Sequence, residues 1–193
     1  MIDVGPRATP NPAFERSAQQ QARCWVPSST PALGTMTDIG ETPEGFLKHA
    51  REFFAAADLV LAKAQGVSLS AYFLLGRSIE LSLKAFLLHR GVNIAELRKK
   101  KLGHDLRALL NETCKRGLGD HIALELIESG IIQLLAHDYA DKRLEYRVTG
   151  GTYYPPLLSE TWEIARKLAY ELKSVLDTEV GTDLAFDLSG EQQ

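Results

Sequence analysis

The chain has 193 residues, 45% of them hydrophobic, which suits one domain with a real core. Its formal net charge is −3, and residues 36 to 177 hold 19 Lys+Arg against 19 Asp+Glu, which excludes a protein that coats nucleic acid through bulk charge alone. Two distant cysteines, Cys24 and Cys114, exclude a zinc ribbon or CxxC redox site and argue against a secreted disulfide framework. The N-terminus lacks a basic-then-apolar signal and no run of about 18 apolar residues occurs, so a reducing cytoplasmic setting without membrane contact is expected.

Residues 1–35 contain five prolines and show no period, and they read as a disordered extension. Met36 precedes a natural helix opening, which points to a start there and makes the extension a mis-assigned start or vector sequence. Thr42, Pro43 and Glu44 supply an N-cap, a first-turn proline and an acid at the positive helix end. The first helix is predicted over 43–65, with Phe46, Leu47, Phe53, Phe54, Val60 and Leu61 apolar, ending at Gly66. Ser68 caps a second helix that runs to His89 or Arg90 and stops at Gly91. A basic connector, "AELRKKKLG", leads to a third helix through Leu106, Leu109 and Leu110 that stops at Gly117. A fourth is predicted over 120–137 with Ile122, Leu126, Ile127, Ile131, Leu134 and Leu135 inward. After a long loop over 138–156, the last helix spans 159–176, capped by Ser159, with Trp162, Ile164, Ala165, Leu168, Ala169 and Leu172 inward. The tail from Thr178 is acidic and reads as disordered. The sum is an all-α bundle of five helices, with the first two forming a long antiparallel hairpin.

Arg77, Glu80 and Lys84 fall three and four residues apart, on one stripe of the second helix. They suit either a surface salt-bridge ladder or a polar groove where an anion meets Arg77 and Lys84 with Glu80 holding them. His104 and Asp105 open the third helix, where capping competes with a functional role. His137 closes the fourth helix, beside its negative end. The run Arg98, Lys99, Lys100, Lys101 is either a solvated loop or a phosphate-contacting patch. In the long loop, Lys142, Arg143, Tyr146, Arg147, Tyr153 and Tyr154 interleave bases with aromatics, as stacking on a base with a phosphate contact requires. A loop folded over the bundle with packed tyrosines explains the same composition. No metal-ligand spacing, nucleophile elbow or glycine-rich phosphate loop is present, so no metal or cofactor is expected.

Two stretches, "GRSIELSLKAFLLHRG" and "LGHDLRALL", followed by the Tyr/Arg-rich "RLEYRVTGGTYYP", together resemble the HEPN family of helical domains. The resemblance covers roughly residues 43 to 177. It implies a helical fold, a homodimer, and work in a toxin–antitoxin or defence setting or beside a nucleotidyltransferase. Catalytic members are metal-independent ribonucleases with an arginine and, after four to six intervening residues, a histidine, near the start of the last long helix. Arg147 matches the arginine, but Thr152, Tyr153 and Tyr154 stand where the histidine belongs. Arg98 with His104 and Arg116 with His121 fit the spacing elsewhere, at a frequency close to chance. The expectation is a non-catalytic module that binds RNA, a nucleotide or a cognate partner protein through Arg77, Glu80, Lys84 and the 142–154 loop. The alternatives are an endoribonuclease built on Arg147, Glu80, and His104 or His137, and an accessory subunit acting by protein contact.

Overall fold

The computed structural model describes residues 41–99, 101–146 and 152–180. The expected disorder of residues 1–35 falls outside these residues, as does that of the tail from Thr178 except for Thr178–Val180, which continue the last helix. Cys24, Lys100, Arg147 and the Gly150–Gly151 pair lie outside them as well.

Among the described residues the fold is all-α, with six helices and no strand. They are α1 (Pro43–Leu61), α2 (Leu69–His89), the single turn α3 (Ile94–Leu97), α4 (Leu106–Lys115), α5 (Leu126–Ala140) and α6 (Leu158–Val180). The starts of α1, α2 and α4 are each set by a local polar group that satisfies an otherwise unpaired amide. Thr42 accepts from Gly45 N at 3.0 Å, Ser68 from Ala71 N at 3.2 Å, and Asp105 from Ala108 N at 3.0 Å. Gly91 and Gly117, with φ of 79° and 83°, turn the chain after α2 and α4 in the left-handed region that suits glycine.

The organising element is α2. Fourteen of its 21 residues are buried, because α1, α4, α5 and α6 all pack on it. Leu75, Ile79, Leu83, Phe86 and Leu87 supply the apolar centre, each contributing about 1.5–3 kcal/mol by leaving water. Leu47, Ala50, Phe54 and Ala57 form the matching stripe of α1, and Ile164, Ala165, Leu168 and Leu172 that of α6. The hairpin of α1 and α2 places Phe53 beside Arg77, and α6 lies antiparallel to α1 on its other flank. In a helix so enclosed Glu80 is fully buried and Lys84 nearly so, while Arg77 keeps partial exposure, so the Arg77–Glu80–Lys84 stripe finds its partners largely inside the protein.

Several boundaries differ from those predicted. Helix α1 ends at Leu61 rather than 65, the basic connector contains the turn α3 capped by Asn93, and α6 runs from Leu158 to Val180 rather than 159–176. Ser159 is not the cap of α6 but lies within it and bonds Glu160. The predicted helix over 120–137 is the largest departure. After the left-handed Gly117, a 3₁₀ turn over Leu118–Asp120 buries Leu118 and Ile122, and an extended Glu125 then starts α5. Glu128 accepts from Glu125 N at 2.7 Å to close that start. Ile131 and Leu135 face inward as expected, but Leu126, Ile127 and Leu134 are exposed, Leu126 by 92%. Helix α5 is apolar on both faces, and Ile132 rather than Leu134 enters the core.

Candidate functional site

The stripe on α2 forms one side of a cleft of about 850 Å³. Helix α1 supplies the facing wall, the segment Leu97–Asp105 closes one end, and Ala140 and Asp141 at the end of α5 border it. Phe46 and Phe53 recur on α1 seven residues apart, so both point into the cleft from one face, and Leu81 and Leu97 add apolar floor. Arg77, Lys84 and Arg98 bring positive charge, with His49 and His104 on the rim.

Beneath this surface Glu80 is fully buried and has four partners. Arg77 Nη1 donates to Oε1 at 2.8 Å and Lys84 Nζ donates to the same oxygen at 2.6 Å. The hydroxyl of Tyr139, from α5, donates to Oε2 at 2.5 Å, and His104 Nδ1 lies 3.1 Å from Oε2. Lys84 also donates to the Gly103 carbonyl at 2.5 Å, tying the α3–α4 connector to α2. Burial alone would push the Glu80 carboxyl up, but the charges of Lys84 and Arg77 and the donated hydrogen bonds hold it below the usual carboxylate range. Burial would lower the Arg77 guanidinium, and the Glu80 charge raises it instead. Tyr139 is pushed well above the ordinary phenol range, first by burial and then by the neighbouring Glu80 charge. The result is a fixed anion beneath, two oriented cations above it, and an imidazole whose Nδ1 is turned toward the carboxylate. Asp105, at the cleft end, is engaged in capping α4.

A second cluster stands on the adjacent residue of α5. Asp138 is buried, and its Oδ1 accepts from Arg143 Nη1 at 2.7 Å while Oδ2 accepts from Tyr154 N at 3.1 Å. Arg143 also donates to the Thr152 carbonyl at 2.5 Å and lies over the Tyr153 ring. His137 Nδ1 is 3.3 Å from Asp138 Oδ1, and its ring meets Tyr154 edge-on.

The residues singled out in the sequence therefore divide. Arg77, Glu80, Lys84 and His104 converge on one cleft, joined by Arg98 of the basic run. Arg143, Tyr153, Tyr154 and His137 assemble around Asp138 and fasten the loop to α5. Lys142 and Tyr146 are exposed, and Lys142 takes a left-handed φ of 57° in the turn after α5. Arg147, named with Glu80 in the ribonuclease alternative, lies outside the described residues. Sequence reasoning missed Tyr139, Asp138, Phe46 and Phe53 as members of these sites. The one available signal for Tyr139 was Gly76, a glycine inside an apolar helix that leaves room for a large ring. Among the described residues no group of three or more His, Cys, Asp or Glu side chains converges as a metal-ligand set, and no helix is long and apolar enough to cross a membrane.

Compared with protein-family models, curated proteins and solved structures, the chain matches none of them.

Proposed function

We propose that the cleft binds a phosphate-bearing ligand, RNA or a nucleotide, and that the chain works as a non-catalytic binding module similar to HEPN domains. The carrying observation is the buried Glu80 that holds Arg77 and Lys84 in place at the floor of a cleft walled by Phe46 and Phe53. Cations fixed before the ligand arrives lose little side-chain freedom on binding, and each charged hydrogen bond to phosphate contributes about 1.5–3 kcal/mol. A base against Phe53 or Phe46 would add roughly 1–3 kcal/mol without demanding a particular sequence.

Fluorescence anisotropy with a labelled ten-nucleotide RNA, competed by ATP, tests this reading. Saturable binding is expected that weakens from 50 to 200 mM salt. Arg98→Ala, which leaves the Glu80 cluster intact, is expected to weaken it about tenfold and to reduce the salt slope by about one. Arg77→Ala is expected to weaken it at least as much. Absence of binding by the unaltered chain at low salt would overturn the proposal.

One observation favours a second reading, a metal-independent ribonuclease. The Glu80–His104 contact orients an imidazole at the cleft rim, as a proton-transfer group requires. In the same samples, RNA cleavage that persists in EDTA and disappears in His104→Ala would replace the binding module with the enzyme.

A further inference from the structure

Helix α5 is apolar on both faces, and the bundle uses one of them. Ile131, Ile132 and Leu135 enter the core. Leu126, Ile127, Gly130, Gln133, Leu134 and His137 are exposed, and their three-and-four spacing draws one stripe along the outer side. Single exposed leucines are ordinary, but three large apolar side chains on one stripe mark a surface that meets something. Glu128 is the only charged residue from Leu126 to His137, and it turns back to Lys167 on α6 at 3.2 Å. The stripe itself is therefore uncharged, as the centre of an interface is.

Gly130 stands at the middle of that stripe. Glycine is the poorest helix former after proline, and nothing within the chain requires it at this position. Its φ is not positive, and a Cβ built there meets nothing within 4 Å. Gly76 differs, because the Tyr139 ring occupies the place of its Cβ. What a bare backbone at position 130 permits is the close approach of a second helix. The stripe is also symmetric about this point. Leu126 lies four residues before Gly130 and Leu134 four after it, with Ile127 and Gln133 three to either side.

We propose that the outer face of α5 is a self-association surface, on which two copies of this chain pair about a two-fold axis with their α5 helices crossing antiparallel at Gly130. Leu126 of each copy then rests on Leu134 of the other, and no like charges meet. A second copy fits this face better than an unrelated protein, because a symmetric, uncharged stripe complements itself. Four turns of one helix, about 22 Å long, bury less than the roughly 800 Å² per partner of a standard interface, so the pairing is weak, with a Kd of about 1–100 μM. Ala140 and Asp141, which border the cleft, lie ten and eleven residues from Gly130. The two clefts are thus set at opposite ends of the pair, roughly 30 Å apart, and neither is completed by the other copy. The inference does not depend on which ligand the cleft takes.

Sedimentation equilibrium of the full chain, from about 2 μM to about 1 mM, tests the pairing. A reversible monomer–dimer equilibrium is expected, and a monomer at every concentration would overturn the proposal. Leu126→Lys and Leu134→Glu are each expected to leave only monomer. The chain carrying both is expected to recover the dimer at low salt, since each introduced base then faces an introduced acid. A dimer that survives either single change, or does not return in the double one, would place the contact elsewhere and sink the α5 pairing. Gly130→Ala separates folding from association. In dilute solution it is expected to raise the melting temperature by about 2–4 °C, because the helix gains a better former, while the dimer weakens about tenfold. A dimer as tight as that of the unaltered chain would show that the helices do not cross at Gly130.

Discussion

Gly76 sits inside α2 directly beneath the Tyr139 ring, and a Cβ built there would lie 2.7 Å from Cδ2 and 2.9 Å from Cε2 of that ring. In an open helix interior, exchange of glycine for alanine stabilises by about 1 kcal/mol. Here the ring has no easy way to yield. It is 5% exposed, its hydroxyl is fixed on Glu80, and its face stacks on Phe73. Gly76→Ala is therefore expected to destabilise by about 1–3 kcal/mol, the ordinary cost of overfilling a packed site. Urea unfolding checks the sign, and a midpoint at or above that of the unaltered chain would show that the ring does not rest on Gly76. The same residue shows how far the site was legible. The spacing of Arg77, Glu80 and Lys84 placed them on one stripe, because helical periodicity is local. That Glu80 is wholly buried was hidden, since its other partners, His104 and Tyr139, stand 24 and 59 positions away in the chain.

At the scale of the element, the segment before α6 is held to the end of α5 largely by one side chain. Asp138 receives Arg143 and the Tyr154 amide, while Tyr72 on α2 donates to the Pro156 carbonyl at 2.6 Å farther along. Replacing Asp138 with alanine removes both bonds to a buried carboxylate, each contributing about 1.5–3 kcal/mol. Hydrogen exchange at the amides of Thr152, Tyr153 and Tyr154 is expected to quicken at least about tenfold in Asp138→Ala, with the core of α2 much less affected. Equal acceleration in α2 would mean that the segment opens only with the whole bundle. The elements differed in how well the sequence announced them. Starts at Thr42, Ser68 and Asp105 were readable because capping needs only a few adjacent residues. The start of α5 was not, because the buried Ile122 continues the apolar period of the helix although the chain over 121–125 is not helical, and an apolar pattern on both faces does not say which side meets the core.

For the molecule as a whole, Glu80 is the point where the bundle is joined across its elements. Its partners come from α2, from the connector before α4 and from α5, and Lys84 extends the contact to the Gly103 carbonyl. Removing its charge strands Lys84 and Arg77 in a partly dehydrated setting, and breaking a buried pair in this way costs about 3–5 kcal/mol. Glu80→Gln is thus expected to lower the melting temperature by about 10 °C near neutral pH. The carboxyl is held below its ordinary range in the folded chain, so the unfolded chain binds its proton first as acid is added. The stability that Glu80 contributes is then complete above about pH 5, the upper edge of ordinary carboxylate titration, and is lost as the pH falls through the folded value. Thermal unfolding of Glu80→Gln and the unaltered chain, run side by side from pH 7 to pH 3, is expected to show a constant gap down to about pH 5 that narrows below it. The other carboxylates titrate alike in both proteins, so the narrowing isolates Glu80. Two curves that stay parallel to pH 3 would show that the negative charge on Glu80 is not what binds these elements together.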